Sequence, residues 1–219
     1  MTAASSPLST ANGVHFMRGR LTAALSTYRI WPVLILLLAG AALASGGIFL
    51  RPSNLVAILF VAAPTTIAAL GQTLVIMTAG IDLSVAAVWV LSAVIAAQLA
   101  NDGWSLAVSA LSALCVGLAG GFVNGCLVAV LRVPPLITTL GTLSICEGIA
   151  RVYTGNSPIL SVPPDYKALG GSYFGPVPLP TLILFTVVLL LIFVMHRMAI
   201  GKQIYAVGGN PVEIGRAHV

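Results

Sequence analysis

The chain has 219 residues, of which 58% are hydrophobic and only 7% are charged, and its formal net charge is +5. Soluble domains average roughly 45–50% apolar and about 25% charged residues, so this composition excludes an ordinary soluble protein and indicates an integral membrane protein. No stretch interleaves basic with aromatic residues on a solvated face, so the expected partner is membrane lipid and not nucleic acid.

The chain begins with a polar segment, residues 1–29, whose first part is rich in Ser, Thr and Ala and has no apolar periodicity. This pattern predicts a partly disordered tail. A first span is predicted over residues 30–50. The alternative is a cleaved signal peptide, because Ala42-Leu43-Ala44 resembles a small-residue cleavage site. The long polar lead-in and the apolar character that continues to Leu50 favour a retained span.

Six apolar segments approach the roughly 20 residues that a helix needs to cross a bilayer. They are continuously apolar, whereas the strands of a membrane barrel alternate. We therefore predict an all-α, polytopic transmembrane helix bundle over residues 30–198. The predicted spans are residues 30–50, 55–79, 83–100, 106–130, 136–150 and 179–198. Prolines crowd the segment between the last two spans, so residues 151–178 are predicted as an ordered, irregular external loop and not a helix.

Basic residues predict the orientation of these spans, because cytoplasmic loops are enriched in Lys and Arg. A cytoplasmic N-terminus leaves three basic residues outside, namely Arg51, Arg151 and Lys167. It places six inside, namely Arg18, Arg20, Arg29, Arg132, Arg197 and Lys202. The bias predicts that the N-terminus and the segment after residue 198 are both cytoplasmic.

A carboxylate lies between the second and third spans, in Gly80-Ile81-Asp82-Leu83-Ser84-Val85. A charge at the centre of a membrane helix costs about 2.5–3.5 kcal/mol, so such a residue requires a structural or functional reason. In the predicted orientation this segment is a cytoplasmic turn. Gly80 is then expected to end one helix, and Asp82 is expected to cap the next by accepting a backbone N–H near Ser84 or Val85.

Small and polar residues mark three of the spans. Gly117, Gly121 and Gly125 recur every four residues, which predicts a helix-packing strip, and Asn124 lies beside it. An amide in hydrocarbon needs a partner, so Asn124 either bonds across a helix contact or faces a polar pathway. The same two alternatives hold for Gln72 on the second span, in which Pro64 should also kink the helix or free a carbonyl. They hold again for the threonines of the fifth span.

Enzyme and metal-site motifs are missing from the sequence. It contains no G-x-S-x-G, no H-E-x-x-H and no second intramembrane acid that could work with Asp82, so no catalytic residue and no metal ligand is predicted. Gly208-Gly209-Asn210-Pro211 lacks the Lys and Ser/Thr of a phosphate-binding loop. Cys115, Cys126 and Cys146 fall inside apolar segments without metal-ligand spacing and are expected to be small core residues.

Four segments together resemble the permease subunits of bacterial ABC importers of the ribose/xylose/arabinose type. The resemblance runs from about Asn54 to Pro211. The segments are Gly71-Gln72-Thr73-Leu74-Val75-Ile76 with Gly80-Ile81-Asp82-Leu83-Ser84-Val85, then Gly121-Phe122-Val123-Asn124-Gly125, Val133-Pro134-Pro135-Leu136-Ile137-Thr138-Thr139-Leu140-Gly141-Thr142 and Ile204-Tyr205-Ala206-Val207-Gly208-Gly209-Asn210-Pro211.

This resemblance implies a permease of the bacterial cytoplasmic membrane that translocates a monosaccharide by alternating access. The implied partners are a cytoplasmic ATPase subunit that binds ATP, an extracytoplasmic solute-binding protein and a second permease copy, with no cofactor on this chain. Residues 199–212 would form the cytoplasmic loop that engages the ATPase, through Tyr205, Gly208, Gly209, Asn210 and Pro211. Candidates for the translocation path are Gln72, Asn124, Thr138, Thr139 and Thr142.

Other functions stay open from the sequence. The same architecture could carry a nucleoside, a polyol or a signalling molecule, because the solute-binding protein sets much of the specificity. An ion-coupled secondary transporter would use Asp82 as its ion site. A membrane scaffold would use the small-residue strips only for assembly.

The C-terminal residues suggest a truncated chain. Related permeases continue with several more spans, whereas this sequence stops at Glu213-Ile214-Gly215-Arg216-Ala217-His218-Val219. Those residues can be encoded by GAGATCGGAAGAGCACACGTC, which contains a widely used sequencing-adapter sequence. The expectation is that the natural reading ends near Val212 and that residues 213–219 are adapter read-through.

Overall fold

A computed structural model of the chain describes residues 30–209, and that part is helical apart from short turns, the irregular segment 154–163 and one hairpin. The helices are α1 (Ile30–Ala44), α2 (Pro52–Met77), α3 (Val85–Asn101), α4 (Leu106–Ala129), α5 (Pro135–Tyr153), α6 (Pro164–Gly171), α7 (Leu179–Arg197) and α8 (Ala199–Gly209), with a 3₁₀ turn at Ile48–Leu50. Strands β1 (Tyr173–Phe174) and β2 (Val177–Pro178) pair antiparallel.

The chain divides into two compact units, Met1–Leu55 and Val56–Val219. In the described part of the first unit, α1 ends in a turn through Gly46 and Gly47, both with positive φ. The Ser45 hydroxyl accepts the Phe49 N–H at 3.0 Å, and the Asn54 amide donates to the Phe49 carbonyl at 2.9 Å. These bonds connect α1 to the start of α2.

In the second unit, α3 packs against both α4 and α5. The centre of this three-helix contact is made of small and medium side chains, namely Ala87, Leu91, Cys146 and Ala150. Gly120 of α4 lies against Val88, where an added Cβ would come 3.1 Å from a Val88 methyl. Small residues allow helix backbones to approach closely, which favours association in a membrane.

The predicted all-α transmembrane bundle is confirmed. Among the described residues, α2, α4 and α7 are long and apolar enough to cross a membrane, and α1 and α3 are shorter apolar helices. A helix overlaps most of each of the six predicted ranges. Most large apolar side chains of these helices are exposed, because lipid replaces protein as their surroundings.

The predicted external loop contains more regular structure than its prolines suggested. Residues 164–171 form α6, and the β1–β2 hairpin follows it. Pro164 is the first residue of α6, where the missing N–H costs nothing and the fixed φ suits the helix. Prolines that predict an irregular loop therefore start a helix here.

The predicted ATPase-coupling loop is also helical over its described residues, as α8. Ile200, Ile204 and Val207 repeat at the spacing of one helix face, and that pattern could have revealed it. Gly201 allows the sharp turn from α7, because a Cβ there would lie 2.5 Å from the Met195 Cα. Asn210, Pro211 and residues 213–219 lie outside the described residues, as does the N-terminal tail.

Two further expectations have mixed outcomes. Pro64 lies inside α2, and the helix continues through it from Pro52 to Met77. Cys146 is buried as expected, whereas Cys126 is half-buried and Cys115 is exposed. The prediction of a core position for Cys115 is wrong, because an apolar run in a membrane protein does not distinguish an inward from a lipid-facing position.

Candidate functional site

The turn between α2 and α3 closes α2 with a pair of backbone hydrogen bonds. The Gly80 N–H donates to the Val75 carbonyl at 3.0 Å, and the Ala79 N–H donates to the Ile76 carbonyl at 2.9 Å. This is the Schellman arrangement, in which one residue is left-handed. That residue is Ala79, with φ 59°, and not the expected Gly80. Gly80 is nevertheless constrained, because an added Cβ would lie 3.1 Å from the Val75 side chain.

Asp82 then orders the approach to α3. Its Oδ1 accepts the Ser84 backbone N–H at 2.8 Å and the Ser84 hydroxyl at 2.6 Å. Ser84, and not Asp82, holds the N-cap position, since α3 begins at Val85. The carboxylate therefore fixes the turn two residues before the cap, as Asp commonly does in turns.

The Ser84 hydroxyl connects this turn to two other helices. It accepts a hydrogen bond from the Asn124 amide at 2.9 Å, and Asn124 Oδ1 accepts the Thr142 hydroxyl at 2.5 Å. Ser84, Asn124 and Thr142 are all buried. We call these four residues, Asp82, Ser84, Asn124 and Thr142, the Asp82 network.

The Asp82 network is a directed series of hydrogen bonds that ends on a carboxylate. Thr142 donates to Asn124, Asn124 donates to Ser84, and Ser84 donates to Asp82. The Thr142–Asn124 and Asn124–Ser84 bonds join different elements, so the series fixes the start of α3 against α4 and α5. Asn124 and Thr142 thus bond across helix contacts, and their assignment to a translocation path stays a prediction.

The other predicted path residues have fewer partners among the described residues. Thr138 and Thr139 are buried. The Thr138 hydroxyl and the side-chain Oε1 of Gln72 are buried without a hydrogen-bond partner in the described chain. The Thr139 hydroxyl is 3.5 Å from the Leu136 carbonyl of its own helix. A role for Gln72, Thr138 and Thr139 in the path stays a prediction.

The glycine strip of α4 faces open space within the described residues. A Cβ added at Gly117, Gly121 or Gly125 would meet no atom within 4 Å. The glycine that packs inside this bundle is Gly120, one position away. Helix packing on the strip therefore stays a prediction, because no described residue contacts it.

The end of α8 approaches the same turn from outside the three-helix contact. A Cβ on Gly208 would collide with the Met77 carbonyl oxygen, so the two backbones lie in direct contact. Met77 is the last residue of α2 and precedes the turn that carries Asp82. Tyr205 of α8 is exposed, and Gly209 ends the helix.

A second polar region lies at the opposite end of α3, and the sequence reasoning did not identify it as a site. A cleft of about 500 Å³, here called the polar cleft, opens between the ends of α3 and α5 and the segment 157–161. The Asn101 amide donates to the Ser161 carbonyl at 3.1 Å, which ties this segment to α3. The Gln98 amide donates to Asp102 Oδ1 at 3.1 Å.

A larger space adjoins the polar cleft and extends along α3. This alanine-lined cavity has a volume of about 570 Å³ and shares Thr154 and Ser157 with the cleft. Glu147 and Arg151 supply its charged groups. One signal could have found this region: Glu147, Arg151 and Thr154 repeat at the spacing of one helix face, as do Gln98, Asn101 and Asp102.

A family model described as "Branched-chain amino acid transport system / permease component" matches residues 54–214. Three similar proteins are named "Autoinducer 2 import system permease protein LsrC". The one from Yersinia enterocolitica is 38% identical over 143 residues, which cover 65% of this chain and 39% of the relative. The one from Escherichia coli O9:H4 is 36% identical over 142 residues, covering 65% and 42%.

The third, from Yersinia pestis Pestoides F, is 38% identical over 145 residues, covering 65% of this chain and 40% of the relative. The chain thus spans about two fifths of the length of these relatives. No solved structure matches the chain significantly.

Proposed function

This chain belongs to the family of branched-chain amino acid transport system permease components, and on that premise we propose that it forms part of an ATP-driven importer for a small hydroxylated solute. The family match over residues 54–214 is the observation that carries the proposal. The protein is a membrane permease of the bacterial cytoplasmic membrane, with helices able to span it.

The proposed solute is a ribose-like monosaccharide, as the motif resemblance implies. A second candidate is autoinducer 2, because the relatives are named as its import permeases. The proposed partners are a cytoplasmic ATPase that binds ATP, an extracytoplasmic solute-binding protein and a second permease copy. The solute would cross by alternating access, when ATP binding and hydrolysis move the cytoplasmic segment that the ATPase contacts.

The contact between α8 and the α2–α3 turn supports this coupling. Because Gly208 lies against the Met77 carbonyl, a displacement of α8 acts directly on the turn that carries Asp82. The Asp82 network then connects that turn to α4 and α5. We infer that α8 is the ATPase contact and that this turn receives its movement.

Uptake assays test the solute and the energy source. The permease that carries this sequence is assembled with its ATPase and binding protein in proteoliposomes, and uptake of labelled D-ribose, autoinducer 2 and leucine is measured separately. We expect ATP-dependent uptake of ribose or autoinducer 2. Uptake that survives ATP depletion but not collapse of the ion gradient would instead favour the ion-coupled alternative.

A substitution at α8 tests the coupling. Gly208→Ala places a methyl group against the Met77 carbonyl, so we expect solute uptake per ATP hydrolysed to fall on the order of tenfold. Substitutions of Gly209 or Asn210 are expected to uncouple in the same way. Gly170→Ala is the matched control, because its Cβ would meet no atom within 4 Å. Normal uptake by Gly208→Ala would contradict the assignment.

A further inference from the structure

We propose that the polar cleft binds a small, uncharged, polyhydroxylated solute and is the place where that solute first contacts the permease. The proposal rests on the proposed function, and it adds a site and a chemical class of ligand. The cleft's volume of about 500 Å³ falls inside the range of roughly 300–1,000 Å³ typical of small-molecule sites.

The side chains of the polar cleft suit hydroxyl groups. A hydroxyl both donates and accepts, so it needs a site that offers both. Gln98, Asn101 and Asp102 present amide and carboxylate groups, and Tyr153 and Ser157 present hydroxyls. The residues that line the cleft in the described chain include one acid and no Lys or Arg, which favours an uncharged ligand over an anion.

Hydrogen-bonding capacity remains after the internal bonds are made. The bonds within the cleft use one donor of Gln98, one donor of Asn101 and one oxygen of Asp102. Both amide oxygens and the second carboxylate oxygen remain for a ligand. The exposed ring of Tyr153 offers a face to the C–H groups of a polyol, since aromatic side chains pair an apolar body with a polar tip.

The position of the cleft gives its ligand a route into the bundle. In the predicted orientation, the α3–α5 end that carries the cleft faces the outside of the cell, where a solute-binding protein delivers its cargo. The cleft adjoins the alanine-lined cavity through Thr154, Ser157 and Pro158. That cavity extends along α3 from Ala97 back to Ala86, about 16 Å at the helical rise.

Cysteine protection tests the site. In the assembled importer, with Cys115, Cys126 and Cys146 replaced by Ala, Ser157→Cys is treated from outside with a membrane-impermeant thiol reagent. The modification rate is compared with and without an excess of D-ribose, D-xylose, L-arabinose or autoinducer 2, present before the reagent is added. We expect at least one of them to slow modification severalfold. Phe174→Cys, on the exposed β1–β2 hairpin, is the control and should react at the same rate with or without solute.

A second variant pair tests the chemistry. Asp102→Asn removes the carboxylate charge while keeping an oxygen for Gln98, so the solute concentration that gives half-protection should rise about tenfold. Asp165→Asn is the matched control, because Asp165 is an exposed acid of α6 that does not line the cleft. An unchanged half-protection concentration in Asp102→Asn would overturn the assigned role of the carboxylate.

The outcomes separate this proposal from the proposed function. Uptake of one of these solutes without any protection of Ser157→Cys would overturn the cleft site and leave the importer assignment intact. Equal protection by leucine would also overturn it, since leucine is not a polyol. Absence of ATP-dependent uptake of every probe would count against the importer assignment itself.

Discussion

The two ends of α3 use their polar residues in opposite ways. At its start, the turn residues Asp82 and Ser84 form a series of hydrogen bonds with Asn124 of α4 and Thr142 of α5, at 2.5–2.9 Å. At its last turn, Gln98, Asn101 and Asp102 border an open cleft and keep acceptors for a ligand. Whether polar residues keep unused hydrogen-bonding groups therefore distinguishes the two ends better than their polarity does.

This difference changes the interpretation of Asp82 and Asn124, the residues that the sequence marks most strongly as candidates for function. Asp82 and Asn124 stand out in the sequence because a charge and an amide are costly in hydrocarbon. In the structure Asp82 fixes the turn before α3 and Asn124 bonds across helix contacts, which lowers that cost. The residues at the other end attract less attention in the sequence because they lie near a predicted loop, where polar side chains are ordinary.

Removing the central member of the Asp82 network should give the largest loss of stability. Asn124→Ala leaves the Thr142 hydroxyl without its buried acceptor and removes the amide that donates to Ser84, whose hydroxyl still bonds to Asp82. An unpaired buried polar group costs about 1–3 kcal/mol, so we expect the free energy of unfolding to fall by about that amount. Denaturant titration of the permease in detergent micelles measures it.

Ser112→Ala is the matched control for this loss. Ser112 lies on the same helix, but among residues 30–209 its hydroxyl bonds only to the Ser109 carbonyl of α4 at 2.7 Å. Its removal should change stability by less than about 0.5 kcal/mol. Equal losses for the two variants would mean that the Asp82 network does not hold the helices together.

A methyl group at Gly80 should give a smaller loss of stability. The Cβ of Gly80→Ala would lie 3.1 Å from the Val75 side chain and 3.2 Å from the Val75 carbonyl, which also accepts the Gly80 N–H. We expect a loss of about 1 kcal/mol, because the turn must shift to admit the methyl group. An unchanged unfolding free energy would show that Val75 moves freely.

A glycine at the neighbouring position should stabilise the same turn. Ala79 has a left-handed backbone, φ 59°, which L-residues with a Cβ adopt at a cost. Ala79→Gly should therefore raise the free energy of unfolding by about 0.5–1 kcal/mol. Opposite signs for these adjacent substitutions would establish the turn geometry, and equal signs would contradict it.

The fold was predictable where local signals were sufficient. Long apolar runs predicted α2, α4 and α7 with ends within a few residues of those observed. The helices α6 and α8 were missed because Pro164 and the glycines of α8 act as breakers in most settings. Two signals predict these helices correctly. Pro is favoured at the first position of a helix, as in α6, and Ile200, Ile204 and Val207 form an apolar stripe on α8.

The candidate sites were predictable only in part, for a related reason. The bond between Asp82 and Ser84 joins residues two apart, so sequence reasoning could reach it. The bond from Asn124 to Ser84 spans 40 positions, and that from Asn101 to Ser161 spans 60. Such contacts depend on which helix faces meet, and apolar periodicity in a membrane bundle leaves those faces undetermined.

The smallest effect on stability should come from the cleft, and it gives the sharpest contrast with the Asp82 network. Asp102→Ala removes the carboxylate of an exposed residue, and its only side-chain bond in the described chain comes from the neighbouring Gln98 amide. We expect the free energy of unfolding to change by less than about 0.5 kcal/mol, as for most surface positions. The same denaturant titration measures it.

Asp82→Ala is the paired variant, with the same chemical change at the opposite end of α3. It removes the acceptor of both the Ser84 N–H and the Ser84 hydroxyl, which should cost more than 1 kcal/mol. Solute protection of Ser157→Cys should respond in the reverse order, with weaker protection in Asp102→Ala than in Asp82→Ala. If both acids affect stability equally and protection equally, the two ends of α3 do not have separate roles.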